Sequence, residues 1–350
     1  MSSINPKFLK KSKFQCKIEE NISQCLTCER KCKIKNGSTG FCGTRMNIDS
    51  DIYTIVYGKI PAESINPIEK KPFYNFFPGT KAYTVGTYGC NFECFWCQNY
   101  HLSQPEASIR EKVKILTDYL SPEDLIDKAL KNNCEGISIS FNEPTLLFEY
   151  SLDAFELAKK EGLYTTYVSN GYMTERVVKD LIENGLDAIN IDIKGDSQMV
   201  QKYCKADLDK VWRNAQLFVD NNVHVEIINL LIKDFNTDEK IVQGIIDRIK
   251  DELGKSIPLH FTRAFPYFKS KDYGFTSSTN LDILEKAFDM GKSAGLDYVY
   301  LGNILGGKGS DTSCPNCGEP VIKRSGFNVE KLDIDDKGNC NHCGYSVCSR

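Results

Sequence analysis

The sequence predicts an α/β chain, a partial or full (β/α) barrel with a small cysteine-rich, metal-binding module at each end. Three observations carry that expectation. Short β-rich runs alternate with amphipathic helical stretches through the middle of the chain. Each run ends in a polar or glycine-rich turn, and that edge of a β/α barrel carries its chemistry. Cysteines at close spacing mark both ends.

Residues 1–80 form the first unit. Residues 1–18 hold Lys7, Lys10, Lys11, Lys13 and Lys17 and no acid. A solvated tail is expected here rather than a nucleic-acid arm, because the whole chain is balanced at a net charge of −3. Cys25, Cys28, Cys32 and Cys42 follow, then a β-like stretch at 52–57 and an aromatic segment at 72–78. That segment is expected to pack between the N-terminal module and the barrel.

Residues 81–305 form the barrel. Strands are expected at 82–87, 136–141, 164–169, 188–193, 223–231, 258–263 and 298–301, and helices at 122–132, 147–160, 174–184, 208–221, 238–253 and 281–294. Ser121-Pro122 and Thr174 are helix starts. Gly162, Asn184-Gly185, Gly254 and Gly295 supply left-handed helix ends. Residues 306–350, joined through the glycine-rich link 306–309, form the last unit. Neither terminal unit has enough apolar sequence for a core without a metal staple.

Composition narrows the function. The chain has 350 residues, 41% hydrophobic and 26% charged, which excludes a disordered or collagen-like polymer. No apolar run approaches a membrane span or a signal-peptide core, so a cytoplasmic protein is expected, with no membrane or nucleic-acid partner. The glycines near Gly302 and Gly306-Gly307 fit neither a dinucleotide nor a P-loop fingerprint.

Eleven of the fifteen cysteines fall into three groups, a pattern of metal ligation in a reducing compartment. Cys90-x3-Cys94-x2-Cys97 follows the first barrel strand. Three thiolates on a four-iron cluster leave one iron open to a small chelating molecule. Zinc would need a fourth ligand, for which His101 is nearest. Cys314-x2-Cys317 and Cys340-x2-Cys343 have the two-knuckle spacing of a structural zinc site. Cys25, Cys28, Cys32 and Cys42 suit zinc or an auxiliary iron–sulfur cluster. Cys16, Cys134, Cys204 and Cys348 read as incidental or buried thiols.

Gly89-Cys90-Asn91-Phe92-Glu93-Cys94-Phe95-Trp96-Cys97-Gln98-Asn99 resembles the cluster loop of the radical S-adenosylmethionine (SAM) superfamily. Pro67-Ile68-Glu69-Lys70-Lys71-Pro72-Phe73, Phe77-Pro78-Gly79, Val299-Tyr300-Leu301-Gly302-Asn303 and both terminal cysteine groups are similar to the radical SAM enzymes of the AmmeMemoRadiSam system. That family is related to the activating enzymes of glycyl radical enzymes such as pyruvate formate-lyase. The resemblance implies a barrel of radical SAM type in which Cys90, Cys94 and Cys97 hold a [4Fe-4S] cluster. It implies SAM contacts from Trp96, Asn142, Glu143, Ser169, Asn170, Asp192, Lys194, His260 and Arg263. SAM needs an acceptor for its ammonium and donors for its carboxylate, and these residue types supply both.

The implied reaction is reductive cleavage of SAM to a 5′-deoxyadenosyl radical, which abstracts hydrogen from an unidentified substrate. An external one-electron reductant and Memo-type and AMMECR-type proteins are the implied partners. Leu231-Ile232-Lys233-Asp234 and Asn229 depart from the family pattern. A glycyl radical enzyme activase is the alternative within enzymes, and a zinc-stabilised binding module without catalysis is the alternative outside them.

Overall fold

The structure, a computed structural model, describes residues 4–104, 118–304 and 308–349. Gly306 and Gly307 of the glycine-rich link lie outside the described residues. Strands β1 (Lys10–Lys11), β2 (Gln15–Glu19), β3 (Ile22–Cys25), β4 (Lys33–Lys35), β5 (Arg45–Ile48) and β6 (Asp51–Thr54) form two small antiparallel sheets in the N-terminal module. Strand β7 (Ala62–Pro67) leads into the main sheet. Its parallel members are β8 (Lys81–Gly86), β9 (Gly136–Ile139), β10 (Tyr164–Ser169), β11 (Ala188–Asp192), β12 (His224–Leu231), β13 (Leu259–Arg263) and β14 (Val299–Gly302). Strands β15 (Thr312–Ser313), β16 (Pro320–Ser325) and β17 (Asn328–Leu332) form the C-terminal sheet.

The main sheet runs β14-β13-β12-β11-β10-β9-β8-β7. Strands β8 to β14 lie parallel in chain order, while β7 pairs antiparallel with β8 at one edge. With β7 and β14 at its two edges, the sheet is a partial barrel. Two-residue periodicity divides each strand. In β11, Ile189 and Ile191 join the main core, whereas Ala188, Asn190 and Asp192 take the opposite face. Fully burying one such isoleucine contributes about 1.5–3 kcal/mol. Gly136 in β9 has no room for a side chain, since a Cβ would lie 2.0 Å from the Tyr164 ring.

Ser121 caps its helix as expected, whereas Thr174 precedes Glu175–Glu183 without a side-chain cap, its hydroxyl donating to Leu26 O (2.8 Å). Ser121 Oγ accepts from Asp124 N–H (3.0 Å), and Pro122 opens the helix Pro122–Lys131. The expected helix at 238–253 divides into an α-helix, Glu239–Arg248, and a π-helix, Ile249–Leu253.

Two expectations are corrected. The basic arm is not a solvated tail, because its lysines meet acids on the body of the protein. Lys10 pairs with Asp153 (3.1 Å), Lys11 with Asp51 (2.8 Å) and Lys13 with Asp180. The aromatic segment at 72–78 does not bridge the N-terminal module and the barrel. Phe73 and Phe76 pack with Ile68, Ala82, Tyr164 and Ala188 across the N-terminal ends of the strands. Tyr74 joins Tyr298, Tyr300, Val321, Ile322 and Val347 of the barrel and C-terminal module. The segment therefore closes the floor of the barrel and seats the C-terminal module against it.

Candidate active site

The cluster loop leaves β8 through Gly89, whose φ is +82°. A Cβ there would lie 2.4 Å from the Cys42 carbonyl oxygen, so glycine lets the N-terminal module approach the loop. Asn142 clamps the same turn, accepting from Thr87 N–H (3.0 Å) and donating to Gly89 O (2.8 Å). Asn91 accepts at its side chain from Asn170 Nδ2 (2.7 Å) and at its carbonyl from Arg30 Nε (2.6 Å). These bonds tie Cys90, between Gly89 and Asn91, to three separate elements.

Glu143 is buried and satisfied within the protein. Its Oε1 accepts from Thr145 N–H (3.0 Å), Thr145 Oγ1 (2.5 Å) and Ser169 Oγ (2.8 Å), and its Oε2 from Asn170 N–H (2.9 Å). Burial nevertheless raises its carboxyl above the ordinary range. Glu143 holds the turn after β10 against the start of the short helix Pro144–Leu147, which follows β9.

Asp192 and Lys194 form an ion pair at the end of β11. Burial works against the Lys194 charge, but Asp192 and the Cys94 sulfur outweigh it and hold the ammonium above its usual range. Asp192 Oδ1 is buried without a hydrogen-bond partner among the described residues. Asn229 donates to Ile193 O (2.6 Å) and Asn236 to Lys194 O (3.0 Å), so the residue that departs from the family pattern braces this turn.

The structure thus brings Cys90, Cys94, Cys97, Asn142, Glu143, Ser169, Asn170, Asp192 and Lys194 to the C-terminal edge of the sheet. Three other residues stand apart. His260 is the second residue of β13, near the floor, where Nε2 meets Glu226 Oε2 at 2.6 Å and the ring packs on Tyr74 and Tyr300. It does not line the SAM side, because β13 carries it away from the edge. Arg263 reaches the edge, but its Nε donates to Thr279 O (2.7 Å) and its Nη2 to Ser278 Oγ (3.0 Å). The Trp96 ring is buried beside Phe95 and Tyr203.

Asn91, Arg30 and Cys204 were not among the expected site residues. Cys204, which ends the π-helix Val200–Cys204, lies with its sulfur 3.5 Å from that of Cys94. The hydrogen bond with Cys204 lowers Cys94, whereas burial raises Cys90 and Cys97.

The donor set fits an iron–sulfur cluster with SAM. Among the described residues, Cys314, Cys317, Cys340 and Cys343 are the set whose sulfurs all lie within 4.8 Å of one another and could hold a single metal ion. Cys90, Cys94 and Cys97 are not so gathered, as suits a larger cluster. The partnerless Asp192 oxygen beside them is an acceptor suited to an ammonium. Cys25, Cys28, Cys32 and Cys42 line one recess together with Arg45 and Asn91, which places that group directly behind the cluster loop. His342 meets Asp333 at 2.9 Å and points away from the C-terminal thiols.

A mostly parallel α/β sheet with three thiols at its C-terminal edge defines an enzyme that holds its cofactor in an open barrel. Residues 84–245 match the model of the radical SAM superfamily, and the chain belongs to that superfamily. An uncharacterized protein of Methanocaldococcus jannaschii is 36% identical over 343 residues, covering 97% of this chain and 99% of that protein. A GTP 3′,8-cyclase of Clostridium perfringens is 30% identical over 255 residues, covering 68% of this chain and 76% of that enzyme. The (2S)-3-sulfopropanediol dehydratase activating enzyme of Klebsiella oxytoca is 28% identical over 123 residues, covering 35% of this chain and 38% of that enzyme. The superfamily implies a [4Fe-4S] cluster, SAM and an external reductant. No helix among the described residues is long and apolar enough to cross a membrane.

Proposed function

We propose that the chain is the radical SAM enzyme of an AmmeMemoRadiSam system, acting with Memo-type and AMMECR-type proteins on a substrate still to be identified. The placing of the Asp192–Lys194 pair beside Cys94 of the cluster loop supports the radical SAM chemistry, and the sequence resemblance outside that loop supports the system. Cys90, Cys94 and Cys97 would hold the cluster. When bound, cluster and SAM supply one-electron cleavage of a sulfonium and hydrogen abstraction. Asp192 offers an acceptor to the SAM ammonium and Lys194 a donor to its carboxylate. Asn142 and Glu143 would hold the turn beside the amino-acid part of SAM, and Ser169 and Asn170 the turn near its ribose. The backbone around Trp96 would be what that residue offers the adenine, and Arg263 orders the outer loop at 278–279. His260 belongs to the floor in this reading and touches no cofactor.

The three units 1–80, 81–305 and 306–350 divide these tasks. The C-terminal cysteine group, whose sulfurs are gathered for one ion, binds zinc as a structural staple; at the N-terminal group, zinc and an auxiliary cluster both stay open. Clustered thiols with no disulfide among them support a reducing, cytoplasmic setting.

Anaerobic reconstitution with iron and sulfide, followed by reductant and SAM, is expected to release 5′-deoxyadenosine. Product analysis with Memo-type and AMMECR-type proteins present then tests the system assignment. Unchanged product yield and composition with and without those proteins would count against it. The similarity to an activating enzyme favours a second reading, a glycyl radical enzyme activase. A protein-borne glycyl radical formed in a partner would select that reading.

A further inference from the structure

We propose that Cys94 and Cys204 form a reversible thiol pair that withholds Cys94 from iron when the cluster is absent. The inference rests on the assignment of Cys94 to the cluster and concerns a thiol that the sequence leaves without a role. The two sulfurs lie 3.5 Å apart although the residues are 110 positions apart in the chain. Arg30 ties the cluster loop to the end of the π-helix, donating from Nε to Asn91 O (2.6 Å) and from Nη2 to Cys204 O (2.8 Å). A disulfide needs an S–S distance of about 2.0 Å, so closing the bond takes a further approach of the two sulfurs by about 1.5 Å.

Cys204 is fully buried, while Cys94 is 7% exposed beside the open edge of the barrel. The order of events follows from that difference. The Cys94 thiolate attacks a small-molecule disulfide, forming a mixed disulfide and releasing one small thiolate. The Cys204 thiolate then attacks the Cys94 sulfur, closing the Cys94–Cys204 bond and releasing the second small thiolate. The two protons lost by the protein thiols pass to the two released thiolates. A dithiol reductant reverses both steps and frees Cys94.

The test uses the full chain freed of iron under anaerobic conditions, with oxidised glutathione as the probe. Peptide mapping without reductant is expected to join the Cys94 peptide to the Cys204 peptide. Cluster uptake, followed by visible absorption with iron and sulfide but no added reductant, is expected to be lost in the oxidised wild type. The Cys204→Ser chain, treated alike and then freed of glutathione by a brief reduction too mild to open the wild-type bond, is expected to take up the cluster. Cys204→Ala is the second variant, and circular dichroism checks the fold of each. A Cys94 found joined to Cys90, to Cys97 or only to glutathione would overturn the proposal. So would equal loss of uptake in wild type and both variants. The map is read on iron-free protein, so failure of the cluster assignment leaves its result standing.

Discussion

Glu143 accepts four hydrogen bonds inside the protein, and that places its main effect on the shape of the site. Glu143→Gln replaces one acceptor with a donor that faces Asn170 N–H or Ser169 Oγ. The expected cost is about 1–3 kcal/mol of stability, by the penalty for an unmet buried donor. SAM affinity is expected to fall while iron per chain stays unchanged, which chemical denaturation, equilibrium dialysis and metal analysis would check. Lys71 presents the opposite case. It is buried, its ammonium lies 4.7 Å from the centre of the Phe141 ring, and it forms no ion pair among the described residues. Burial pushes its amine from 10.5 down to about 7. Between those values the unfolded chain holds the extra proton, so this group makes stability rise with pH across that window. Lys71→Met is expected to stabilise the protein by about 3–5 kcal/mol below pH 7, the gain vanishing above pH 10.5. Unfolding curves across that range would test it.

At the scale of the element, the turn from β8 into the cluster loop is the most constrained. Gly89→Ala would meet the Cys42 carbonyl and force a left-handed backbone on alanine. The expected penalty is about 1–3 kcal/mol, the range for a backbone held in a sparsely populated conformation. Lower cluster occupancy after reconstitution, with the C-terminal metal content unchanged, is the expected readout. The parallel strands and their helices were legible because buried strands are apolar, short and bounded by turn residues. Their observed limits stay close to those expected, as in β10 at Tyr164–Ser169. β7 was not legible. Ala62–Pro67 alternates weakly, ends in proline and lies at a sheet edge, where pairing rather than composition makes a strand. Apart from β6, which the expected β-like stretch at 52–57 overlaps, the short strands of the N-terminal module escaped for a related reason, since few residues of that module reach an apolar core.

At the scale of the molecule, the floor of the barrel joins the strands to the C-terminal module. Glu226 accepts from Tyr74 N–H and Asn75 N–H (3.0 and 2.8 Å) and meets His224 and His260. Burial alone would raise its carboxyl, but the two histidines hold it at about 2. Arg324 of the C-terminal sheet lies over the Tyr74 ring at 4.3 Å and donates to Tyr74 O (2.7 Å). Stripping metal from Cys314, Cys317, Cys340 and Cys343 with a chelator is therefore expected to reach beyond that module. Amide exchange should rise over 72–78 as well as over 312–349, with the cluster edge protected as before. Exchange confined to 312–349 would show that the floor holds without the staple.

The sequence by itself determined the alternation that builds the sheet, the three thiols of one loop and the knuckles of the C-terminal module. Each of these is a local pattern, set by spacing along the chain. The position of His260 was also within reach, since it stands three residues before Arg263 and a strand advances about 3.3 Å per residue. Only the tertiary structure decided that the aromatic segment closes the floor, that Arg30 braces the cluster loop, and that Cys204 faces Cys94. Those contacts join residues far apart in the chain. Their partners are chosen by strand register and by the packing of one module on another, and no spacing along a single segment encodes either.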